Sequence, residues 1–173
     1  MLEQIFSERQ LRRDDASLQT YGKDWTNGFT IAPSAVVFPQ SMEQVEELVA
    51  FARAGKHKLV PSGGRTGLSG GAVASQGEIV VSFEKMNRIL DFSAKDRIVT
   101  CEAGVITANL QEFAKENGFF YPVDFASAGS SNIGGNVATN AGGIKVIRYG
   151  LTRNWVAGMR VVTGTGARLN CNS

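Results

Sequence analysis

The chain has 173 residues, 43% of them hydrophobic, and a formal net charge of +2. This size and composition allow one domain with a sizeable core, or two small lobes that share one. The sequence has no basic tail, no long apolar run and no apolar amino-terminal core, which excludes a nucleic-acid-binding arm, a membrane-spanning helix and a signal peptide. Cys101 and Cys171 lie outside any CxxC pattern, which argues against a disulfide framework and a zinc site. We therefore expect a cytoplasmic protein with no metal site and no nucleic-acid partner.

The first residues indicate a short helix over 4–13, followed by a polar, turn-rich arm over 14–34. The apolar run at 35–38 then predicts a buried strand. Ser41, with Gln44 three residues later, predicts a capping box at the start of a helix that ends near Gly55.

A second strand at 58–61 completes a strand–helix–strand unit, which implies that its two strands are parallel. The remaining elements indicate a mostly antiparallel part of the chain. They are a strand at 78–83, a hairpin formed by 88–93 and 97–103, a helix capped by Thr107 and closed by Gly118, a strand or extended segment at 119–123, and a hairpin over 159–170. We therefore predict an α+β fold with a small parallel βαβ lobe and a larger mixed or antiparallel lobe. No capping element follows the last hairpin, so we expect the amino-terminal part of a longer protein.

Glycines are concentrated in two segments, 61–71 and 122–150, which contain eleven of the twenty glycines and which we call the first and second glycine loops. The first reads PSGGRTGLSGG. Glycine permits positive φ and a close approach of ligand to backbone, so several N–H groups can surround an anion such as a phosphate. Neither the Walker pattern nor the GxGxxG fingerprint fits its spacing. A flexible surface loop or a set of bulges is the alternative for this segment taken alone.

The second glycine loop combines small residues with the amides Asn132, Asn136 and Asn140. Small residues allow a flat ring to lie against the backbone, and amides can bond ring edges or a polyol chain. Asn136 and Thr139 can also cap a short helix over 134–140, which is compatible with cofactor contact because the helix N-terminus would face the ligand. Two such loops in one domain suggest a long ligand with a phosphate centre, such as a dinucleotide.

The two loops together resemble the FAD-binding PCMH-type domain of the vanillyl-alcohol oxidase superfamily. The resemblance rests on three motifs: residues 61–71, the run IGGNVATNAGG at 133–143, and Arg148-Tyr149-Gly150. Within that superfamily the sequence is most similar to the D-2-hydroxy-acid dehydrogenases, which include the glycolate oxidase flavin subunit, D-lactate dehydrogenase and D-2-hydroxyglutarate dehydrogenase. The resemblance covers roughly residues 20–170. We therefore divide the chain into an amino-terminal helix and arm over 1–30, taken from the residue pattern, and an incomplete FAD-binding PCMH-type domain over 31–173, which lacks the substrate domain.

The resemblance also implies which residues bind the cofactor. The first loop would bind the FAD pyrophosphate through backbone amides, and the second would line the ribityl chain and the isoalloxazine ring. The implied contacts are Pro61, Ser62, Gly63, Gly64, Arg65, Thr66, Gly67, Leu68, Ser69, Pro122, Gly129, Ser130, Ile133, Gly134, Gly135, Asn136, Thr139, Gly142 and Gly143. Some family members tether FAD to a histidine after the two glycines of the first loop. Arg65 stands there and His57 lies before the strand, so we expect noncovalent FAD.

No catalytic residue is assigned in this chain, because the family's substrate-binding residues lie mostly in later segments. We expect the FAD-binding portion of an enzyme that oxidises a D-2-hydroxy acid, of the lactate, glycolate or 2-hydroxyglutarate class, by hydride transfer to flavin N5. The substrate would bind through the missing carboxyl-terminal domain, and the electron acceptor is not predicted. The alternatives are a sugar or aldonolactone oxidase module and a non-catalytic flavin- or nucleotide-binding module. An apolar face left uncovered would favour a homo-oligomer.

Three charged residues of the second loop have two interpretations each. Lys145 and Arg148 are either phosphate ligands or surface charges, and Asp124 either caps a turn or contacts the flavin. In the arm, Tyr21 and Trp25 either pack on their own domain or cover the flavin region.

Overall fold

A four-stranded sheet organises the amino-terminal half of the chain, in a computed structural model that describes residues 1–172. The strands lie in the order β1-β2-β4-β3, with β2, β4 and β3 parallel and β1 antiparallel at the edge. Their bounds are β1 Leu11–Arg12, β2 Ala35–Val37, β3 Leu59–Ser62 and β4 Ile79–Ser82. Both β2 and β4 are buried along their whole length, as expected for parallel strands that are covered on both faces.

The βαβ unit is confirmed, with one difference in strand order. β2 and β3 are parallel and are joined by helix α2 (Met42–Gly55), but β4 lies between them and pairs with both. Ser41 caps α2 by accepting a hydrogen bond from the Gln44 N–H at 3.3 Å. The predicted capping box is wrong in its second half, because the Gln44 side chain accepts from the N–H of Gln40 and not of Ser41.

The amino-terminal segment differs from the predicted helix and arm. Residues 4–13 form no α-helix; they contain the end of a short 3₁₀ turn (Leu2–Gln4) and strand β1, and the first α-helix (α1, Asp15–Tyr21) lies inside the predicted arm. Asp14 caps α1 by accepting from the Ser17 N–H at 2.9 Å. Pairing of β1 with β2 is a tertiary effect that the local helical pattern does not reveal.

The hydrophobic core lies on both faces of the sheet. One face packs Leu2 and Phe6 of the amino-terminal segment with Leu48 of α2 and with Ala35, Val37, Ile79 and Val81 of the strands. The other face packs Val36, Phe38, Ala74 and Val80, with Leu18 and Tyr21 of α1 against them. Residues 1–30 therefore contribute to the core of the parallel lobe, and the proposed boundary at residue 30 stays a prediction.

Within the part of the second half that the structure describes, up to residue 172, there are two separate antiparallel hairpins and three helices. Their bounds are β5 Ile89–Ser93, β6 Ile98–Cys101, α3 Thr107–Glu116, α4 Ile133–Thr139, α5 Val146–Tyr149, a 3₁₀ turn at Thr152–Trp155, β7 Gly158–Val162 and β8 Arg168–Asn172. Both predicted hairpins are confirmed. Residues 119–123 lie in none of the described helices or strands. The α+β class with a parallel and an antiparallel part is confirmed.

Helix α3 begins one residue earlier than predicted. Ile106 occupies the N-cap position, so the expectation that Thr107 caps the helix is wrong. The Thr107 hydroxyl is fully buried and lies 2.7 Å from the hydroxyl of Ser131, so a contact with the second glycine loop takes the place of capping. Gly118 closes the helix with a φ of +78°, as its position suggested.

Candidate cofactor-binding site

The first glycine loop leaves the carboxyl end of β3, where ligands of parallel sheets commonly bind. Among the described residues, none accepts a hydrogen bond from the backbone N–H groups of residues 63–69. Backbone N–H groups are normally paired, so a run of free donors is suited to an anion or to water. The Ser62 hydroxyl at the start of this run is buried and also lacks a partner within residues 1–172.

The second glycine loop lies directly against the first. A side chain at Gly64 would place its Cβ 2.0 Å from the carbonyl oxygen of Ser130, and one at Gly63 would lie 3.1 Å from Oδ1 of Asn132. Real Cβ atoms do not approach backbone atoms that closely, so Gly64 is required by the contact. The fold thus brings together two segments that are far apart in the sequence.

The arm between α1 and β2 covers the other side of the first glycine loop. The Trp25 N–H donates to the Gly67 carbonyl at 3.0 Å. The guanidinium carbon of Arg65 lies 4.5 Å from the centre of the Tyr21 ring, so the Arg65 side chain stacks on Tyr21 in a cation–π contact. A cleft of about 230 Å³ lies between arm and loop, lined by Thr20, Lys23, Asp24, Trp25, Gly64 and Arg65.

Buried amides and hydroxyls hold the second glycine loop against α3. The Asn136 side chain donates to the Thr107 hydroxyl at 2.7 Å, and the Asn132 side chain donates to the Gly104 carbonyl at 2.9 Å. Helix α4 has Asn132 at its N-cap position, so the predicted capping role of Asn136 and Thr139 is wrong. The Thr139 hydroxyl instead donates to the Gly135 carbonyl at 2.9 Å. The Asn136 and Thr139 side chains therefore stabilise the conformation of the second glycine loop through these hydrogen bonds.

Glycines of the second loop fall into two groups. An added Cβ would lie 2.7 Å from Ala103 at Gly134, 2.3 Å from Leu151 at Gly142, and 1.9 Å from the Asp124 carbonyl oxygen at Gly143. The absence of a side chain at these three positions therefore permits close packing. At Gly129 and Gly135 nothing lies within 4 Å of the added Cβ. The exposed backbone at these two positions leaves room for a flat ligand.

An ion pair joins the two ends of the second loop. The Lys145 ammonium lies 2.9 Å from Oδ2 of Asp124, and this hydrogen bond holds the pKa of Asp124 below its usual value. The guanidinium of Arg148 lies 5.3 Å from the centre of the Tyr149 ring. Lys145 and Asp124 are therefore paired with each other in the structure.

The other residues of the implied site occupy varied positions. Ile133 and Thr66 are half-buried, and Pro122 is fully buried. Exposed positions are Pro61, Leu68, Ser69 and Ser130. Within residues 1–172, no group of three or more His, Cys, Asp or Glu side chains is arranged to hold a metal ion, and no helix is long and apolar enough to cross a membrane.

The sequence reasoning did not single out Asp24, which is only 8% exposed beside the first loop. Its Oδ1 accepts from the Thr26 N–H at 2.8 Å and from the Thr26 hydroxyl, whereas its Oδ2 has no partner among the described residues. The sequence Asp-Trp-Thr is typical of an Asx turn, and this turn pattern was the only feature of the sequence that could have pointed to Asp24.

Residues 33–172 match the family model described as FAD binding domain. The chain belongs to this family. Its loops fit the cofactor, because the free N–H groups of the first loop suit a pyrophosphate and the open glycines of the second leave space for a ring. FAD is therefore the cofactor of this FAD-binding domain.

Curated relatives of the domain are named D-2-hydroxyglutarate dehydrogenase. The protein from Stutzerimonas stutzeri is 65% identical over 92% of this chain and 34% of its own length. The protein from Xanthomonas citri is 52% identical over 99% of this chain and 36% of its own length. The mitochondrial protein of Arabidopsis thaliana is 36% identical over 94% of this chain. The chain thus spans about a third of the length of these relatives.

Solved structures share the fold. Alkyldihydroxyacetonephosphate synthase matches 99% of this chain and 37% of its own with a TM-score of 0.89 and 24% identity. The 6-hydroxy-D-nicotine oxidase of Arthrobacter nicotinovorans matches 97% of this chain and 36% of its own with a TM-score of 0.81 and 21% identity. The resemblance to an FAD-binding domain that is most similar to the D-2-hydroxy-acid dehydrogenases is confirmed.

Proposed function

We propose that this domain is the FAD-binding part of a dehydrogenase that oxidises a D-2-hydroxy acid, with D-2-hydroxyglutarate as the first candidate. The names of the two bacterial relatives support this substrate. The observation that carries the proposal is the run of free backbone N–H groups at 63–69 in the first glycine loop, against which the second glycine loop packs at Gly64. When bound, FAD supplies flavin N5 as the acceptor of the C2 hydride.

The first glycine loop would bind the pyrophosphate. Its N–H groups at 63–69 stabilise negative charge without lysine side chains. Arg65 adds a positive charge at the same loop, where its contact with Tyr21 restricts its motion.

The second glycine loop would support the ribityl chain and the isoalloxazine ring. Gly129 and Gly135 leave their backbone open, and the buried bonds of Asn132 and Asn136 keep this part of the loop rigid. A rigid, preformed surface lowers the ordering cost of binding a flat ligand.

FAD is proposed to bind noncovalently. Arg65 follows the two glycines of the first loop, and the ring of His57 is stacked on Phe51 with 5.0 Å between ring centres. His57 precedes the amino end of β3, whereas the first glycine loop begins at the carboxyl end of β3, so the strand separates the only histidine from the proposed cofactor site. Acid precipitation that left flavin on the polypeptide would contradict this assignment.

A titration with FAD tests the proposal and the role of Gly135. The purified domain is expected to bind FAD saturably, with quenching or a shift of flavin fluorescence and absorbance near 450 nm (a property of the flavin). The Gly135→Leu variant is expected to fold, because nothing lies within 4 Å of the added Cβ, and to raise the Kd for FAD at least tenfold by occupying ligand space.

Gly164→Leu is the matched control, since Gly164 is also open but lies in the β7–β8 turn. It is expected to bind FAD like the unmodified domain. Equal affinities for the two variants would remove the second loop from the cofactor site, and no FAD binding by the folded, unmodified domain would contradict the proposed function.

Substrate class is tested by dye reduction with the full-length protein. Reduction with D-2-hydroxyglutarate, D-lactate or glycolate supports the main proposal, whereas reduction with aldonolactones only would favour the sugar-oxidase alternative. No turnover by an FAD-loaded full-length protein would favour a non-catalytic module.

Homo-oligomer formation stays a prediction, which light scattering of the purified protein tests.

We propose a cytoplasmic location. The relatives at 65% and 52% identity are bacterial, whereas the plant and animal relatives with mitochondrial names are 33–36% identical. Both cysteines are unpaired within the described residues, which suits a reducing compartment. Recovery of the protein in a membrane or secreted fraction would contradict this location.

A further inference from the structure

The Asp24 carboxylate is buried, and only one of its two oxygens has a hydrogen-bond partner among the described residues. Asp24 is 8% exposed, and Thr26 satisfies only Oδ1. Oδ2 is buried and has no partner among residues 1–172. An unsatisfied buried carboxylate oxygen is costly, so its retention in a fold needs an explanation.

The first glycine loop lies beside this carboxylate at Gly67. An added Cβ at Gly67 would lie 3.6 Å from Oδ2 of Asp24. Burial raises the pKa of Asp24, but the bonds from Thr26, together with the nearby backbone amides of Ala72 and Gly70, lower it below its usual value. Asp24 is thus an anion that faces the carboxyl-terminal half of the loop.

The arm adds two further connections to the same part of the loop. The Trp25 N–H donates to the Gly67 carbonyl at 3.0 Å, and the Ala74 N–H donates to the Gly22 carbonyl at 2.8 Å. Residues 22–26 therefore flank the segment from Gly67 to Ala74. Within the described residues, the free N–H groups at 63–66 make no backbone hydrogen bond with residues 22–26. All of residues 22–26 precede the family match, which starts at residue 33.

We propose that Asp24 is a positioning residue for the cofactor. Its carboxylate holds the turn at residues 24–26, from which the Trp25 N–H bonds Gly67, and it lies beside Gly67 itself, so it keeps the N–H groups from Gly63 onward directed at the FAD pyrophosphate. This inference rests on the proposed function. Charge balance supports it, because Lys23 and Arg65 line the same cleft and offset the negative charge of Asp24 near a bound anion.

The Asp24→Asn variant tests the inference with FAD and with ADP, which contains a pyrophosphate but no flavin. Both Kd values are expected to rise at least fivefold and by the same factor, because the change acts through the pyrophosphate loop. Thr26→Val, which removes one donor to Asp24, is expected to raise both values by a smaller factor.

Ile79→Val is the control for general destabilisation. Ile79 is buried at the amino end of β4, away from the loop, and the loss of one methylene lowers stability modestly. If Asp24→Asn weakens FAD and ADP no more than Ile79→Val does at an equal loss of Tm, Asp24 has only a structural role and the inference fails.

Hydrogen exchange separates this inference from the proposed function. In the protein without FAD, Asp24→Asn is expected to speed amide exchange at residues 70–73 and to leave β4 unchanged. Exchange and affinity both unchanged would overturn the role of Asp24. Failure of the unmodified protein to bind FAD or ADP would contradict the proposed function, and the exchange result would still show whether Asp24 holds the loop.

Discussion

At the scale of single residues, the glycines of this domain have different physical reasons for being glycine. Gly64 and Gly143 lie against backbone carbonyl oxygens, so a methyl group has no space there. Gly129 and Gly135 lie in open positions, where the missing side chain leaves room for a ligand. A sequence pattern cannot separate these groups, because both are written as the same letter.

Substitution by alanine without added FAD is expected to distinguish the two groups. Gly143→Ala places a Cβ 1.9 Å from the Asp124 carbonyl oxygen and is expected to lower the free energy of unfolding by about 1–3 kcal/mol. Gly129→Ala meets nothing within 4 Å and is expected to leave stability unchanged or slightly higher. Thermal unfolding of both variants checks this, and equal melting temperatures would contradict the packing role of Gly143.

At the scale of secondary-structure elements, buried polar contacts decide how the segments join. The base of the β5–β6 hairpin is closed by Glu102, which is 8% exposed and accepts from the Arg88 N–H at 2.8 Å and from its guanidinium at 2.7 Å. The side-chain bond from Arg88 lowers the pKa of Glu102, against the opposing effect of burial. The contact therefore depends on the ionised carboxylate.

The pH dependence of stability follows from this pKa. Because the folded-state pKa of Glu102 lies below its unfolded value of about 4.3, its contribution is complete above that value and is lost as the pH falls through the folded pKa. Glu102→Gln is expected to lower stability at pH 7 by up to about 1 kcal/mol, and this difference is expected to shrink towards pH 3.

Thermal unfolding at pH 7 and pH 3 measures the Glu102 effect. Glu112→Gln is the matched control, because Glu112 forms an exposed ion pair with Lys115 at 3.3 Å. It is expected to change the melting temperature little at either pH. A Glu102→Gln effect that is the same at pH 7 and pH 3 would show that its carboxylate charge is not involved.

At the scale of the whole molecule, the last hairpin is attached to the parallel lobe mainly by polar contacts. Arg168 on β8 bonds Glu46 of α2 at 2.6 Å and Glu43 at 3.0 Å, and Arg53 of α2 donates to the Thr165 carbonyl. Every residue of β8 is exposed. A contact made of exposed ion pairs is weakened by salt, unlike the buried core of the sheet.

Loss of the Arg168 side chain is expected to release the hairpin locally. Arg168→Met is expected to speed amide exchange over residues 158–172 and to leave β2 and β4 unchanged, and high salt is expected to act in the same way. Arg160→Met is the control, since Arg160 on β7 has no ion pair within residues 1–172. Similar exchange rates in the two variants would contradict the attachment by ion pairs.

The sequence by itself determined the strands with continuous apolar runs, both hairpins, helix α2 and the two glycine loops. These features depend on local patterns of apolar residues, caps and glycines, which act over a few neighbouring positions. Only the tertiary structure decided the rest. The pairing of β1 with β2, the insertion of β4 between β2 and β3, the contact of Gly64 with Ser130 and the burial of Asp24 each join residues distant in the sequence. No local pattern encodes such contacts, because they follow from the packing of the complete chain.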